Sequence, residues 1–140
     1  MKKRILSFAT ALVLIFTSAI AASAVEVRAS PTLALYSAML TKGSSAGKIS
    51  ISYDVRANTE AEEVGVSSIK IYTASDDKYV TTITGSVRNG LIAANTERHR
   101  SSYTYTGKAK TEYYAIVTVT ATINGTTDTR DITTNSLTAP

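Results

Sequence analysis

The 140-residue sequence has no cysteine and no tryptophan, and it has only one histidine, two phenylalanines and two prolines. Without cysteine the chain cannot form disulfide bonds, thiolate metal sites or a cysteine nucleophile. With His99 as the single histidine, a two-histidine metal centre and a histidine dyad are also excluded. We therefore expect no metal, no cofactor and no catalytic residues, in a chain whose length suits one domain.

Residues 1–24 have the pattern of a secretory signal peptide. Three cations at positions 2–4 precede an apolar segment at residues 5–20, and the small residues Ala22 and Ala24 follow it. A basic start, an apolar centre and a small-x-small cleavage site are typical of exported proteins. An uncleaved membrane anchor is the weaker alternative, because the apolar segment is shorter than the ~20 residues that span a bilayer.

Cleavage after Ala24 would leave a chain of 116 residues with nearly balanced charge. Three of the 15 cations leave with the signal peptide, so 12 remain against 11 carboxylates and the net charge falls from +4 to +1. Nucleic-acid-binding domains are strongly basic, so we expect no nucleic-acid partner. We predict a secreted, extracellular protein that meets the membrane only through its signal peptide, with a short linker at residues 25–31 and one domain at residues 32–140.

Apolar and polar residues alternate with a period of two along the predicted domain, whereas helical patterning does not recur. The spacing predicts strands at residues 32–41, 49–56, 64–73, 79–84, 100–106, 112–123 and 126–134. Asn124-Gly125 is the strongest hairpin signal, because a type I′ turn needs positive φ at both central residues. Residues 85–95 are the least regular and are consistent with a helical turn or a loop that plugs the core.

About seven short strands separated by turns predict an all-β fold, preceded by a signal-peptide helix. The spacing favours an antiparallel sandwich of the immunoglobulin or fibronectin type III kind. Residues 102–107, residues 111–121 and the Asn124-Gly125 turn resemble strands E, F and G of a fibronectin type III domain. In that family a tyrosine of a T-x-Y motif before strand F makes a tyrosine corner, and the resemblance implies this role for Tyr113.

Most of the predicted domain also resembles an uncharacterised family of small secreted proteins of Gram-positive bacteria. Each member has a signal peptide followed by one β-domain. The similar stretches are residues 65–72, 99–103 and 107–129. This resemblance implies a β-fold, export and a Gram-positive source, and it supplies no catalytic residues.

Positive charge is concentrated in residues 86–110, which hold five cations and one carboxylate. Their local charge of +4 leaves −3 on the rest of the predicted mature chain. If the cations gather beside tyrosines, they form a basic surface that could hold an anionic wall polymer, a sugar or a peptide. If alternate strand residues face opposite sides, the charges are dispersed. The candidate ligand-binding residues are Arg98, His99, Arg100, Tyr103, Tyr105, Lys108 and Lys110.

Other titratable residues have structural explanations. We predict that His99 bonds a neighbouring loop, because no Ser-His-Asp spacing accompanies it. Carboxylates cluster at residues 60–63, 76–77 and 128–131, and converging carboxylates could form a calcium site or a glycosidase pair. The spacing of a calcium-binding loop is absent, so we predict that these clusters are solvated surface.

The most consistent function is therefore a secreted, non-enzymatic binding or surface-interaction module. Its expected partner is another protein or a cell-envelope glycan. One alternative is a small secreted hydrolase that uses the clustered carboxylates. A second alternative is a self-associating structural protein whose strand edges pair between copies.

Overall fold

The computed structural model describes residues 30–140, and this part of the chain is a curled antiparallel sheet. Strands make up 72% of it, and it contains no helix. The all-β prediction is confirmed. No helix in residues 30–140 is long and apolar enough to cross a membrane. The predicted signal peptide, with Ala22 and Ala24, lies outside the described residues, and so do residues 25–29 of the predicted linker.

Seven strands form one hydrogen-bonded sheet. In chain order they are β1 (Leu33–Lys42), β2 (Lys48–Thr73), β3 (Lys78–Thr84), β4 (Ile92–Thr106), β5 (Glu112–Ile123), β6 (Thr126–Thr133) and β7 (Leu137–Thr138).

β2 is one continuous strand of 26 residues, where the sequence predicted two strands, at residues 49–56 and 64–73. That prediction was wrong because the alternation stops between them although the backbone stays extended. Between Arg56 and Ala61, β2 advances by five residues while its partner β4 advances by two. Extra residues of this kind bend a strand and increase its twist. The bulge therefore lets the two halves of β2 contribute to one core.

The neighbours of β2 lie on two sides of it. In its first half, Tyr53 pairs with Ala38 of β1 on one side and with Ser101 of β4 on the other. In its second half, Ile69 lies between β3 and β5, and Glu63 lies between β4 and β5. β1 and β5 therefore share one side of β2, and β3 and β4 share the other. β6 and β7 both pair with β5.

The inner face of the curled sheet forms the core. Alternate residues of 49–55 and 113–121 are buried, as the sequence pattern predicts. Each fully buried Ile, Leu or Val stabilises the fold by about 1.5–3 kcal/mol relative to an exposed position. The largest fully buried apolar side chains are Ile49, Ile51, Val55, Val64, Val66, Ile69, Ile71, Leu91, Val117 and Val119.

Residues 85–95 contain a turn followed by the start of β4. Leu91 is 1% exposed and inserts into the core, as expected for a loop that plugs it. β4 begins at Ile92, eight residues before the predicted strand at Arg100. The early part was missed because residues 93–97 are small or polar and show no apolar alternation.

The chain after β5 follows the predicted hairpin and then adds a short strand. Asn124 and Gly125 have φ angles of 50° and 74°, which confirms the left-handed turn. β7 was not predicted, since two residues are too few to show a period. A backbone hydrogen bond holds residue 140 against the loop between β1 and β2: the Gly47 N–H donates to the Pro140 oxygen at 2.7 Å.

Substitution of Gly65 tests the packing at the place where β2, β4 and β5 meet. Its φ is +149°, and a Cβ there would lie 2.2 Å from the Leu91 carbonyl oxygen. We expect Gly65→Ala to lower the free energy of unfolding by at least ~3 kcal/mol, from backbone strain plus overpacking. Gly90→Ala is the control, because Gly90 also has positive φ but open space around it, and it should cost only ~1 kcal/mol. Equal losses in urea unfolding would contradict this packing.

Candidate binding surface

The seven candidate ligand-binding residues do not share one surface. β4 alternates between faces, and cross-strand partners show which side each residue takes. Arg98 and Arg100 lie opposite residues of the solvent-facing outer side of β2. The inner side of β4 carries His99, Tyr103 and Tyr105, and the loop between β4 and β5 carries Lys108 and Lys110. The seven candidate residues are therefore divided among three places, and their charges lie on the outer face and in the loop.

Two ion pairs join β2 to β4. Arg98 donates from Nε and Nη2 to the two carboxylate oxygens of Asp54, at 2.8 and 2.5 Å. Arg56 donates from Nε and Nη2 to Glu97 Oε1, at 2.9 and 2.8 Å. The hydrogen bond from Arg98 lowers the pKa of Asp54 below its usual 3.8. Arg100 lies opposite Asp54 in register and has no ion pair within residues 30–140, although its charge also helps to lower the pKa of Asp54.

A shallow groove of about 580 Å³ crosses β1, β2 and β4 on the outer face. Its floor is low because small serines occupy three neighbouring strands, at Ser37, Ser52 and Ser102. Met39 lines the groove on β1 and Arg100 lines it on β4. The groove therefore offers hydroxyl groups, one apolar side chain and one cation at a single place. A second hollow, of about 330 Å³, shares Ser37 and Asp54 with it and adds Leu35, Tyr36, Arg56 and Arg98.

His99 holds the turn before β4. Its Nε2 donates to the Gly90 carbonyl oxygen at 2.7 Å, and the Tyr53 hydroxyl donates to the same oxygen at 3.1 Å. The rings of Tyr53 and His99 lie 5.5 Å apart. Burial raises the pKa of Tyr53. The structure thus gives His99 the predicted contact with a neighbouring loop.

Tyr113 forms a hydrogen bond with the backbone upstream of it, the contact that the resemblance implies. Its hydroxyl accepts from the Lys108 backbone N–H at 2.8 Å, five residues upstream. Tyr105 packs edge-to-face against Tyr113, with ring centroids 5.9 Å apart. Burial raises the pKa of Tyr105. The loop ends at Lys110, which has φ of 59° and whose N–H donates to the Ala139 carbonyl.

The acidic clusters are separated in the structure. Glu62 accepts from the Gly125 N–H at 3.1 Å, and Asp76 accepts from the Thr73 hydroxyl. Asp131 accepts from the Thr118 hydroxyl at 2.7 Å. Within residues 30–140, no three side chains of His, Cys, Asp or Glu could together hold a metal ion.

Asp128 closes one edge of the sheet. It accepts from the Ser30 hydroxyl and from Arg130 Nη1, the latter at 2.7 Å. The hydrogen bond from Ser30 is the main reason that its pKa is lowered. Inward-pointing charges of this kind protect an edge strand from pairing with another chain. We therefore assign Asp128 a structural role, which is to protect the edge strand β6.

A row of three tyrosines on the outer face was missed by the sequence reasoning. Tyr79, Tyr72 and Tyr114 are neighbours across β3, β2 and β5. Tyr72 stacks on Tyr114, with ring centroids 5.2 Å apart, and meets Tyr79 edge-on at 5.9 Å. Desolvation, and a hydrogen bond with Asp77, raise the pKa of Tyr114. The available signal was the solvent-facing position of each tyrosine in its alternating strand, close to the turn at residues 74–77.

The sequence matches no protein-family model. No curated protein matches it. Among solved structures, a family 76 glycoside hydrolase from a bovine Bacteroides thetaiotaomicron strain is similar over 79% of this chain, with 13% identity and a TM-score of 0.44. The aligned part is 21% of that chain, so this protein spans about a fifth of its length. A similarity at this level identifies neither a family nor an activity.

Tyr113→Phe tests the hydroxyl contact. The variant keeps the ring in the core but leaves the Lys108 N–H without its acceptor, so we expect the free energy of unfolding to fall by about 1 kcal/mol. Tyr105→Phe removes a hydroxyl from the neighbouring ring and should cost less. Urea unfolding of both variants measures the difference. A Tyr113→Phe variant as stable as the wild type would show that this hydrogen bond is unimportant.

Asp54→Asn tests the outer ion pair through its dependence on pH. Because the folded pKa of Asp54 is lowered, the pair stabilises the fold above the usual pKa and loses this contribution as pH falls through the folded value. We expect the variant to be about 0.5 kcal/mol less stable at neutral pH, the typical scale for a surface pair, and equally stable in acid. Arg98→Ala should show the same convergence. A stability difference that persists in acid would contradict this assignment.

Proposed function

We propose that this protein is a secreted, non-enzymatic binding or surface-interaction module. Its ligand is another protein or a cell-envelope glycan, and its source is a Gram-positive bacterium. Export rests on the signal-peptide pattern of residues 1–24. We also propose that the curled sheet is a sandwich of the immunoglobulin or fibronectin type III kind. The hydrogen bond of Tyr113 to the backbone supports this fold, because it is the contact implied by the resemblance.

The groove on the outer face is the observation that carries the proposal. Arg98 and Arg56 are engaged by carboxylates, whereas Arg100 lines the groove with no ion pair within the described residues. A guanidinium can bind a carboxylate or phosphate oxygen pair with two parallel hydrogen bonds. The serine floor adds neutral donors and acceptors, and Met39 adds apolar contact. A polar polymer with anionic groups, or an acidic protein segment, fits this combination.

The arrangement of carboxylates supports binding over hydrolysis. Glycosidases place two carboxyl groups on opposite sides of the bond that is cleaved. Here Asp54 belongs to an ion pair, Asp131 bonds Thr118, and Glu62 bonds a turn. Among the residues that the structure describes, one carboxylate, Asp54, lines the groove. The hydrolase alternative would need a second carboxylate in this groove.

Arg100→Ala tests the proposed site. Protein purified after expression of the full 140-residue sequence would be screened on an array of envelope glycans and in a pull-down from cell-surface proteins. For a ligand found in this way, we expect the Arg100→Ala variant to bind about ten- to a hundredfold more weakly, the usual value of a charged hydrogen bond. Arg88→Ala is the control, because it removes a cation from the turn before β4, outside the groove.

Two results would contradict the proposal. One is the absence of any ligand in both screens. The other is a ligand whose affinity falls equally in the Arg100→Ala and Arg88→Ala variants, since this would indicate attraction by overall charge. Far-UV circular dichroism establishes that each variant is folded.

A further inference from the structure

The middle of β1 is exposed on both faces. Leu33 and Leu40 anchor the strand at 4% and 2% exposure, and the residues between them are exposed except Ala38, which is half-buried. Within residues 30–140, β1 forms strand pairing with β2 alone, although parts of it also lie near β5, β6 and β7. Three of the six exposed large apolar side chains in residues 30–140 lie on this one strand: Leu35, Tyr36 and Met39.

The edge of β1 that faces away from β2 lacks the charges that protect the other edges. Proteins block unwanted strand pairing with charged residues and proline. The other edge strands of more than two residues, β3, β4 and β6, all carry charged side chains, among them Lys78, Arg98 and Arg130. β1 has no charged residue and no proline before Lys42. Its edge is therefore open to pairing.

Asn135 shows which backbone groups of β1 point outward. The Leu40 N–H donates to Asn135 Oδ1 at 2.9 Å, and Asn135 Nδ2 donates to the Leu40 carbonyl at 3.2 Å. Both groups of Leu40 therefore point away from β2. Because this direction alternates along an antiparallel strand, the N–H and C=O groups of Tyr36 and Ala38 point the same way. Asn135 occupies the edge at Leu40, and no residue of the described part of the chain bonds the outward groups of Tyr36 and Ala38.

We propose that β1 pairs antiparallel with β1 of a second copy, about a two-fold axis at Ser37. This register sets Tyr36 opposite Ala38 of the second copy, and the two such pairs form four main-chain hydrogen bonds. It also sets Leu35 opposite Met39 of the second copy on the outer face. These side chains are 66% and 54% exposed in one copy, and the pairing would bury both.

Neighbouring registers fit less well. An axis at Ala38 would place Tyr36 opposite Leu40, whose backbone is already bonded to Asn135. An axis at Tyr36 would place Met39 opposite Leu33, which is buried within its own copy. The register about Ser37 pairs Tyr36 with Ala38 and sets Leu35 opposite Met39, so it uses both outward-pointing residues in the middle of β1 and both exposed apolar residues of its outer face. It joins the outer faces of two copies, so the two grooves lined by Met39 lie side by side.

Sedimentation velocity over a wide concentration range tests this dimer, with protein purified after expression of the full 140-residue sequence. We expect the wild type to form dimers, and Leu35→Lys or Met39→Glu to raise the dimer dissociation constant at least about tenfold, because each places a charge opposite an apolar side chain. Val87→Lys is the control, since Val87 is similarly exposed, at 53%, but lies outside β1. It should leave the dimer unchanged.

Complementation tests the register itself. In the proposed pairing, a Leu35→Lys chain mixed with a Met39→Glu chain sets the new charges opposite each other, so the mixture should form heterodimers more readily than either variant forms homodimers. A wild type that stays monomeric at every concentration would overturn the proposal. So would a dimer that tolerates both substitutions, or a mixture without heterodimers. Arg100→Ala leaves Leu35 and Met39 unchanged, so the ligand test and the dimer test can fail separately.

Discussion

The antiparallel pairing of β2 with four other strands is the constraint on which the rest of the structure depends. Its first half pairs with β1 and β4, and its second half pairs with β3, β4 and β5. The bulge after Arg56 allows one strand to pair with both sets of neighbours, because it bends β2 without ending it. The inner residues of both halves then pack in the same core. Gly65 allows the close approach of the Leu91 backbone that closes this core from the side of β4.

The same alternation that builds the core distributes the functional groups. Successive residues of β4 face opposite sides, so Arg98 and Arg100 belong to the outer face while His99 turns to the Gly90 loop. Three residues that are consecutive in the sequence therefore have different surroundings: His99 contacts a loop, whereas Arg98 and Arg100 lie on the outer face beside the groove. The groove exists because three strands bring serines together there, and Asp54 binds Arg98 rather than Arg100, which has no ion pair within residues 30–140.

Much of the fold could be predicted from the sequence, because a strand with one apolar face and one polar face shows a period of two in its residues. The buried alternate residues of 49–55 and 113–121, the Asn124-Gly125 turn and the loop contact of His99 were all predicted. The continuity of β2 could not be read, since a bulge and a turn both interrupt the alternation. The tyrosine row and the serine groove were also missed, because both depend on register between strands that are far apart in the chain.

Native-state hydrogen exchange of the β2 amides tests the central claim most directly. If β2 is one strand shared by the whole sheet, its hydrogen-bonded amides in both halves, at residues 49–55 and 64–71, should be the slowest in the protein. They should exchange with one common free energy, equal to that of global unfolding. If the first half exchanged through a separate opening of lower free energy, β2 would behave as two strands and the account would be contradicted.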